Sequence, residues 1–505
     1  MMQDVASQKP RKRQFLPPQF VRAMLAGHSA LGIAFAALIY VVCLTGTLAV
    51  FLHELQRWEQ PDAPVIDDPL TPAAVTNALD GVYQKAVALN AAHDVFLMGP
   101  GPVQKRFIVS FHDHDSGLEG EWIADTGGNL AVEHKAPWSE FVGELHMHLH
   151  LPRTWGLFLV GLTGVTLLSS LVSGLLSHPR LFKDAFALRW GGSRRLQEAD
   201  LHNRLGVWGL PFHVVVSTTG ALLGLSTLIV GVLALAAYDG DSEKAFATIL
   251  GPMATEDETA APLPDLAAMI RQVQAQHPGA EFASANIGHI AKKGQVVHLG
   301  MRTSGHLAMS NSYYFDGTGK PLGDGGLETG SIGQQILGAL QPLHFGWFGG
   351  FPVKIAYGIL GLALTVVTHT GITVWLARRR ERGRPSPHWE KIWTALAWSQ
   401  PLALAVVAIA IFAGAESLAV TAYLVTTLVS MVGSQAASQA TTAGRIIRLL
   451  AALAILAALA MHALAWADRM TDPTAPWVSA AFAATALALL VSAVRPWPRS
   501  RAGAA

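Results

Sequence analysis

Residues 27–46, GHSALGIAFAALIYVVCLTG, and residues 201–220, LHNRLGVWGLPFHVVVSTTG, carry the same polar and small residues at the same spacing. His28, Leu31, Gly32, Thr45 and Gly46 in the first stretch answer to His202, Leu205, Gly206, Thr219 and Gly220 in the second. A weaker echo links Leu145-His146 to Leu343-His344, and Ser173-Gly174 to Thr370-Gly371, the latter offset by one residue. Self-similarity of this kind marks a duplicated unit. Each unit reads as helix, extramembrane segment, helix, and both run in the same orientation.

The 505 residues are 51% hydrophobic and only 14% charged, with mean hydropathy +0.34. That composition excludes a disordered chain and argues against a soluble enzyme. A net charge of +1 offers no basic field for nucleic acid. Cys43 is the one cysteine, which removes disulfides, Cys-ligated clusters and covalent CxxCH haem attachment. Any metal or haem must therefore rely on His, Met or carboxylate.

A membrane crossing needs about 20 apolar residues at about 1.5 Å each. Spans are predicted at 23–53, 146–178, 202–237 and 344–377, with about four more within 392–494. The first is too long for a cleaved signal peptide and continues into His53 and Glu54. Basic residues set the orientation. Segment 1–22 (Arg11, Lys12, Arg13, Arg22), the loop 179–201 (Arg180, Lys183, Arg189, Arg194, Arg195), the loop 378–391 (Arg378, Arg379, Arg380, Arg382, Arg384) and the tail 495–505 alternate correctly to be cytoplasmic. Both termini are expected inside a bacterial inner membrane, which leaves 54–145 and 238–343 in the periplasm.

Each of those insertions reads as a small α+β module. In the first, a helix at 71–89 precedes strands near 95–97, 106–111 and 121–124 and a turn at Asp125-Thr126-Gly127-Gly128. In the second, a helix at 263–276 precedes strands near 296–301 and 312–315 and a turn at Asp316-Gly317-Thr318-Gly319. No nucleotide-binding fingerprint is present.

These residues resemble a known family. The His28-x-x-Leu31-Gly32 start, Leu145-His146, Pro342-Leu343-His344, and above all HPRLFKD at 178–184 running into DLHNRLG at 200–206 are similar to the PepSY-associated transmembrane helix proteins, over about Gly27 to Arg380. Members include iron-regulated inner-membrane proteins, some of them haem-containing reductases that release iron from ferric siderophores. The resemblance implies a mainly α-helical integral membrane fold: a four-helix haem-carrying bundle beneath two PepSY modules. It does not cover the last four helices, whose purpose stays open.

Histidine inside a bilayer is costly, so a cluster of them is a functional hypothesis. A b-type haem in a helical bundle takes an axial imidazole on each face, from different helices. The repeat supplies such pairs: His28 with His202 at cytoplasmic depth, His146 with His344 at periplasmic depth. His213 and His369 have no histidine counterpart in the first unit, and either form the inner pair instead or flank it. His146, His148 and His150 would share one face only if extended, which leaves open a copper or iron site there. His53, His178 and His462 read first as interfacial or capping residues, as do Trp122, Trp138, Trp155, Trp347 and Trp375 near the boundaries. The polar run His112-Asp113-His114-Asp115 reads as a hairpin tip rather than a metal site. Thr-Gly and Ser-Gly pairs read as places of close helix packing.

The expected function is a membrane oxidoreductase with haem b, two per chain, that passes electrons outward to a ferric siderophore or other ferric chelate. Electrons would come from a quinol or a donor protein, with Arg180, Arg189, Arg194 and Arg195 as a docking face. The alternatives are a siderophore or metal permease, disfavoured because the spans contain few Asp or Glu, with Glu416 at a boundary the nearest case, and a noncatalytic regulator whose modules bind a peptide or peptidase.

Overall fold

The structure, a computed structural model, describes residues 16–177, 194–255 and 257–494. His178, Arg180, Lys183 and Arg189, which carry part of the family resemblance and of the proposed docking face, lie outside the described residues. The protein is mainly helical. Among the described residues, six helices are long and apolar enough to cross a membrane, eight if each of two bent pairs is one span. It is a multi-pass membrane protein.

The first apolar stretch is not one straight helix. α1 (Pro18–Ala34) and α2 (Ala36–Ala49) meet at Phe35 with a bend of 71°, and α3 (Leu52–Glu59) follows a second break at Phe51. An extramembrane unit comes next, with α4 (Pro72–Ala88), β1 (Asp94–Met98), β2 (Phe107–His112), β3 (Glu119–Ala124) and β4 (Leu130–Glu133). α5 (Pro137–Met147) leads back to the long α6 (Arg153–Ser177). The second unit repeats this: α7 (Arg194–Trp208) and α8 (Leu210–Gly224), again bent by 71°, then α9 (Ser226–Ala237). It continues with α10 (Ser242–Leu250), α11 (Leu266–Gln276), β5 (Glu281–Gly288), β6 (Val296–Arg302), β7 (Asn311–Asp316), β8 (Pro321–Asp324), α12 (Ile332–Phe345) and α13 (Gly350–Glu381).

The shift that carries His28 onto His202 also carries the breaks at Phe35 and Phe51 onto Gly209 and Leu225. The stretch expected as one span at 202–237 is therefore broken twice. At Gly209 the cause is local. Pro211 has no N–H to continue the helix ladder, and a Cβ at Gly209 would stand 2.5 Å from His213 Nε2. Phe35 has neither glycine nor proline beside it, so packing imposes that bend. α1 lies against α6 of its own unit while α2 lies against α13 of the other; α7 against α13 and α8 against α6 mirror this. Small residues allow the close contacts. A Cβ on Gly164 would meet the Ser217 carbonyl at 2.9 Å, and one on Gly361 would meet Thr47 Oγ1 at 2.7 Å.

The two expected α+β modules are not separate. Their strands form one antiparallel eight-stranded sheet, ordered β4-β3-β2-β1-β5-β6-β7-β8, joined where β1 pairs with β5 from Val95↔Ile287 to Met98↔Ser284. α4 and α11 lie side by side on one face, and a single apolar core runs under both. Val75, Leu79 and Val82 of α4 and Met269, Ile270 and Val273 of α11 meet Leu97, Val109, Ile287 and Leu299 from the strands. The alternation of buried and half-buried residues along β2 is the two-residue period of a one-sided sheet. Both helices start with side-chain caps, Thr71 Oγ1 accepting from Ala74 N and Asp265 Oδ1 from Ala268 N. Trp122, expected at a membrane boundary, lies on β3 and stacks on Phe111.

Of the C-terminal helices α14 (Pro387–Phe412), α15 (Ala419–Gly433), α16 (Ala440–Trp466) and α17 (Thr474–Val494), α15 and α16 pack on α14, α17 packs on α16, and the group docks on the first unit through α14 and α17. Tyr40 Oη donates to the Ala397 carbonyl and Trp138 Nε1 to that of Leu404. His462 lies flat on Trp58 at 4.3 Å, and its Nε2 is 2.6 Å from the Trp58 carbonyl. Trp138 and His462 thus hold an interface.

Between sheet and spans, Glu59 caps the start of α5, accepting from Trp138 N at 2.8 Å and from Ser139 N at 2.6 Å. Burial raises its carboxyl from 4.5 to about 7. The unfolded chain ionises at the lower value, so the fold loses stability as pH rises from about 4.5 through about 7. Melting temperature followed across that window is expected to fall, and Glu59→Gln to flatten the fall.

Candidate functional site

Four histidines meet in two pairs, each pair drawn from both repeats. His28 on α1 faces His202 on α7 with ring centroids 6.2 Å apart and planes at 71°. His146 on α5 faces His344 on α12, also at 6.2 Å, with planes at 25°. Two imidazoles that ligate one metal ion from opposite sides, each at about 2 Å, have centroids about 6 Å apart. Both pairs have the spacing of opposed ligands.

The hydrogen bonds assign the ring tautomers. His28 Nδ1 lies 2.8 Å from the Ser170 carbonyl and His202 Nδ1 lies 2.9 Å from that of Val367. His146 Nδ1 lies 3.1 Å from the Val42 carbonyl, and His344 Nδ1 lies 2.9 Å from Thr219 Oγ1. Thr219 spends its own proton on the Val215 carbonyl, so toward His344 its oxygen accepts. In every case Nδ1 is the donor and Nε2 carries the lone pair. A backbone acceptor on the far nitrogen is how proteins orient metal-bound imidazoles.

Each ring also lies on a glycine. A Cβ would stand 2.7 Å from His146 Cε1 at Gly46, 2.9 Å from His344 Cε1 at Gly220, 3.1 Å from His28 Cε1 at Gly174 and 3.3 Å from His202 Cε1 at Gly371. The Thr-Gly and Ser-Gly pairs, read from sequence as helix contacts, are ring cradles. At three of them the hydroxyl helps hold Nδ1, with Thr45 Oγ1 at 3.4 Å from His146 and Thr370 Oγ1 at 3.3 Å from His202 beside Thr219. Around His28 and His202 opens a cavity of about 220 Å³, bounded among others by Gly32, Gly206, Leu364, Trp375 and Arg378.

The remaining histidines are not brought into these pairs. His213 is fully buried against Gly209 and Phe212 and stands where the first unit has buried Ile39. His369 turns the other way, toward Tyr40, Trp393 and Trp398. These two do not face each other, so the alternative inner pair does not form. His148 Nδ1 is 2.5 Å from Glu144 Oε2, and His150 Nε2 is 3.0 Å from the Phe141 carbonyl. Among the described residues neither joins His146 in a group of three or more metal-ligating side chains, so the structure does not assemble the local copper or iron site. His53 rests on Trp347 and Gln56.

The family described as PepSY-associated TM region matches residues 25–378. The chain belongs to that family. The match embraces both repeats, all four paired histidines and the sheet, and it stops before α14. A Pseudomonas aeruginosa relative, named only "Uncharacterized protein PA4219", is 29% identical over 237 residues. The aligned part is 44% of this chain and 60% of that protein, so the chain spans less than two thirds of that relative's length.

Proposed function

We propose that this PepSY-associated TM protein is a haem b oxidoreductase that moves electrons across a bacterial inner membrane to a ferric siderophore or other ferric chelate in the periplasm. The observation that carries it is the pair of cross-repeat imidazole couples, each at 6.2 Å and each with Nδ1 already committed. The residues fit the group. His28 and His202 would hold one haem beside the inner cavity, where Arg378 offers a partner for a propionate, and His146 and His344 would hold the other. Bound there, haem supplies a one-electron iron couple whose potential is set by axial ligands and burial.

The helices α1, α2, α7, α8, α6 and α13 are then the expected haem-carrying bundle. Ile39, on the wall of the inner cavity, and Gly46, against His146, lie about 10 Å apart along α2 at about 1.5 Å per residue. The two stations are neighbours within one bundle. A quinol gives up two electrons and two protons, and each ferric ion takes one electron, so one quinol serves two ferric ions. Reduction weakens the hold of hard oxygen ligands on the iron.

Absorption spectra of the purified protein, oxidised and dithionite-reduced, with haem quantified per chain, test this reading. Sharp b-type bands at two haems per chain, reoxidised by a ferric chelate, are expected; haem-free protein made with ample haem would overturn it. Gly46→Val is expected to displace His146 and remove the outer haem selectively, seen as a halved haem content with the fold retained.

A further inference from the structure

The run His112 to His114, read from sequence as a hairpin tip, has partners that only the fold reveals. Because β1 is the seam strand, with β2 on one side and β5 on the other, its first residues meet the ends of both neighbours. Asp94 is opposite His112 in the β1–β2 ladder. His93 Nδ1 is 2.9 Å from Asp94 Oδ1, and His114 Nε2 is 3.1 Å from Asp94 Oδ2. His289, from the other repeat, donates its backbone N–H to Asp94 Oδ1 and sets its ring 4.5 Å from that of His93. The His112 ring is 4.6 Å from that of His114. Four imidazoles thus gather about one carboxylate, contributed by three separate segments.

We infer that this cluster is a binding site for a divalent first-row transition cation, with His93, Asp94 and His114 as ligands and His289 or His112 as the adjoining imidazole. One ligand atom from each of the three lies within 4.8 Å of the others. Bonds of about 2.0–2.2 Å to nitrogen and oxygen require only a small closing movement. His114 can make it, being largely exposed on its loop, and Asp94 is already held by the backbone of His289. His289 Nδ1 is buried and closes no hydrogen bond, though Glu258 Oε1 stands 3.3 Å away. Two imidazoles and one carboxylate select zinc, iron, nickel or copper; magnesium and calcium prefer all-oxygen shells. The site lies on the sheet, apart from the paired histidines in the helices, and does not depend on the haem reading.

The test is calorimetric titration of chelator-treated full-length protein with Zn²⁺, repeated anaerobically with Fe²⁺, alongside His114→Ala and His93→Ala variants. Haem content and melting temperature of the same preparations report the fold and the haem sites separately. One ion per chain is expected, unaffected by a large excess of Mg²⁺. Each variant is expected to weaken it by at least the ~10–100-fold that loss of a supporting group costs. Failure of either ion to bind, or equal binding by wild type and His114→Ala, would overturn the site. Should His93→Ala fail to fold, His114→Ala, altered at an exposed side chain, decides alone.

Discussion

Replacing His146 by alanine is expected to take the protein from two haems to one and to abolish ferric-chelate reduction. The remaining partner, His344, would hold a haem from one face only, in a cradle built for two opposed imidazoles. His28→Ala should also leave one haem but with a different consequence. Reduced directly by dithionite in detergent, that variant should still be reoxidised by a ferric chelate through the His146 and His344 pair. Supplied with a quinol, it should not turn over. His213→Ala and His369→Ala are expected to keep both haems, because neither ring faces a paired histidine. Haem quantitation and stopped-flow reoxidation with each reductant separate these outcomes, and two haems retained in His146→Ala would sink the assignment.

Arg57→Ala should loosen the C-terminal helices from the first repeat. Arg57 Nε and Nη2 each donate to Asp472 at 2.7 Å, and the Asp472 side chain is wholly buried. Removing one partner of a buried pair leaves an uncompensated charge and costs about 3–5 kcal/mol. The expected signs are a large drop in melting temperature and faster proteolysis of the segment joining α13 to α14, with haem content unchanged. The double replacement Arg57→Met with Asp472→Leu should recover most of the loss, since no charge is then stranded. A single variant that melts with the wild type would show that Trp58, His462 and Ser479 suffice for docking.

The paired histidines are legible because duplication repeats them, His28 and His202 at fixed offsets from Leu-Gly and Thr-Gly, His146 and His344 each behind a leucine. Two symmetric copies of a costly residue point to shared chemistry, whereas His213 and His369, present once each, fill packing positions. The ring cradles are present in the sequence as Thr-Gly and Ser-Gly, but glycine in a membrane helix most often marks a neighbouring helix, which hides their use. The bend at Phe35 has no local signature at all, being set by two different neighbours on its two sides. Strand β5, Glu281–Gly288, is rich in small residues and lacks the β-branched pattern of a strand, and β4 and β8 are only four residues long. Without β5 the seam could not be foreseen, and without the seam neither could the meeting of His93, Asp94, His114 and His289.

The strand order reads the same from either edge once each strand is exchanged for its repeat equivalent, β1 for β5 through β4 for β8. Such a pattern is an isologous interface with its two-fold axis at the seam, the contact by which identical subunits ordinarily form a closed dimer. Here a single polypeptide supplies both subunits, so closure is intramolecular and independent of concentration. What faces outward are two brief terminal strands, poor templates for edge-to-edge growth. The chain is in effect a tethered dimer whose stoichiometry cannot be diluted away.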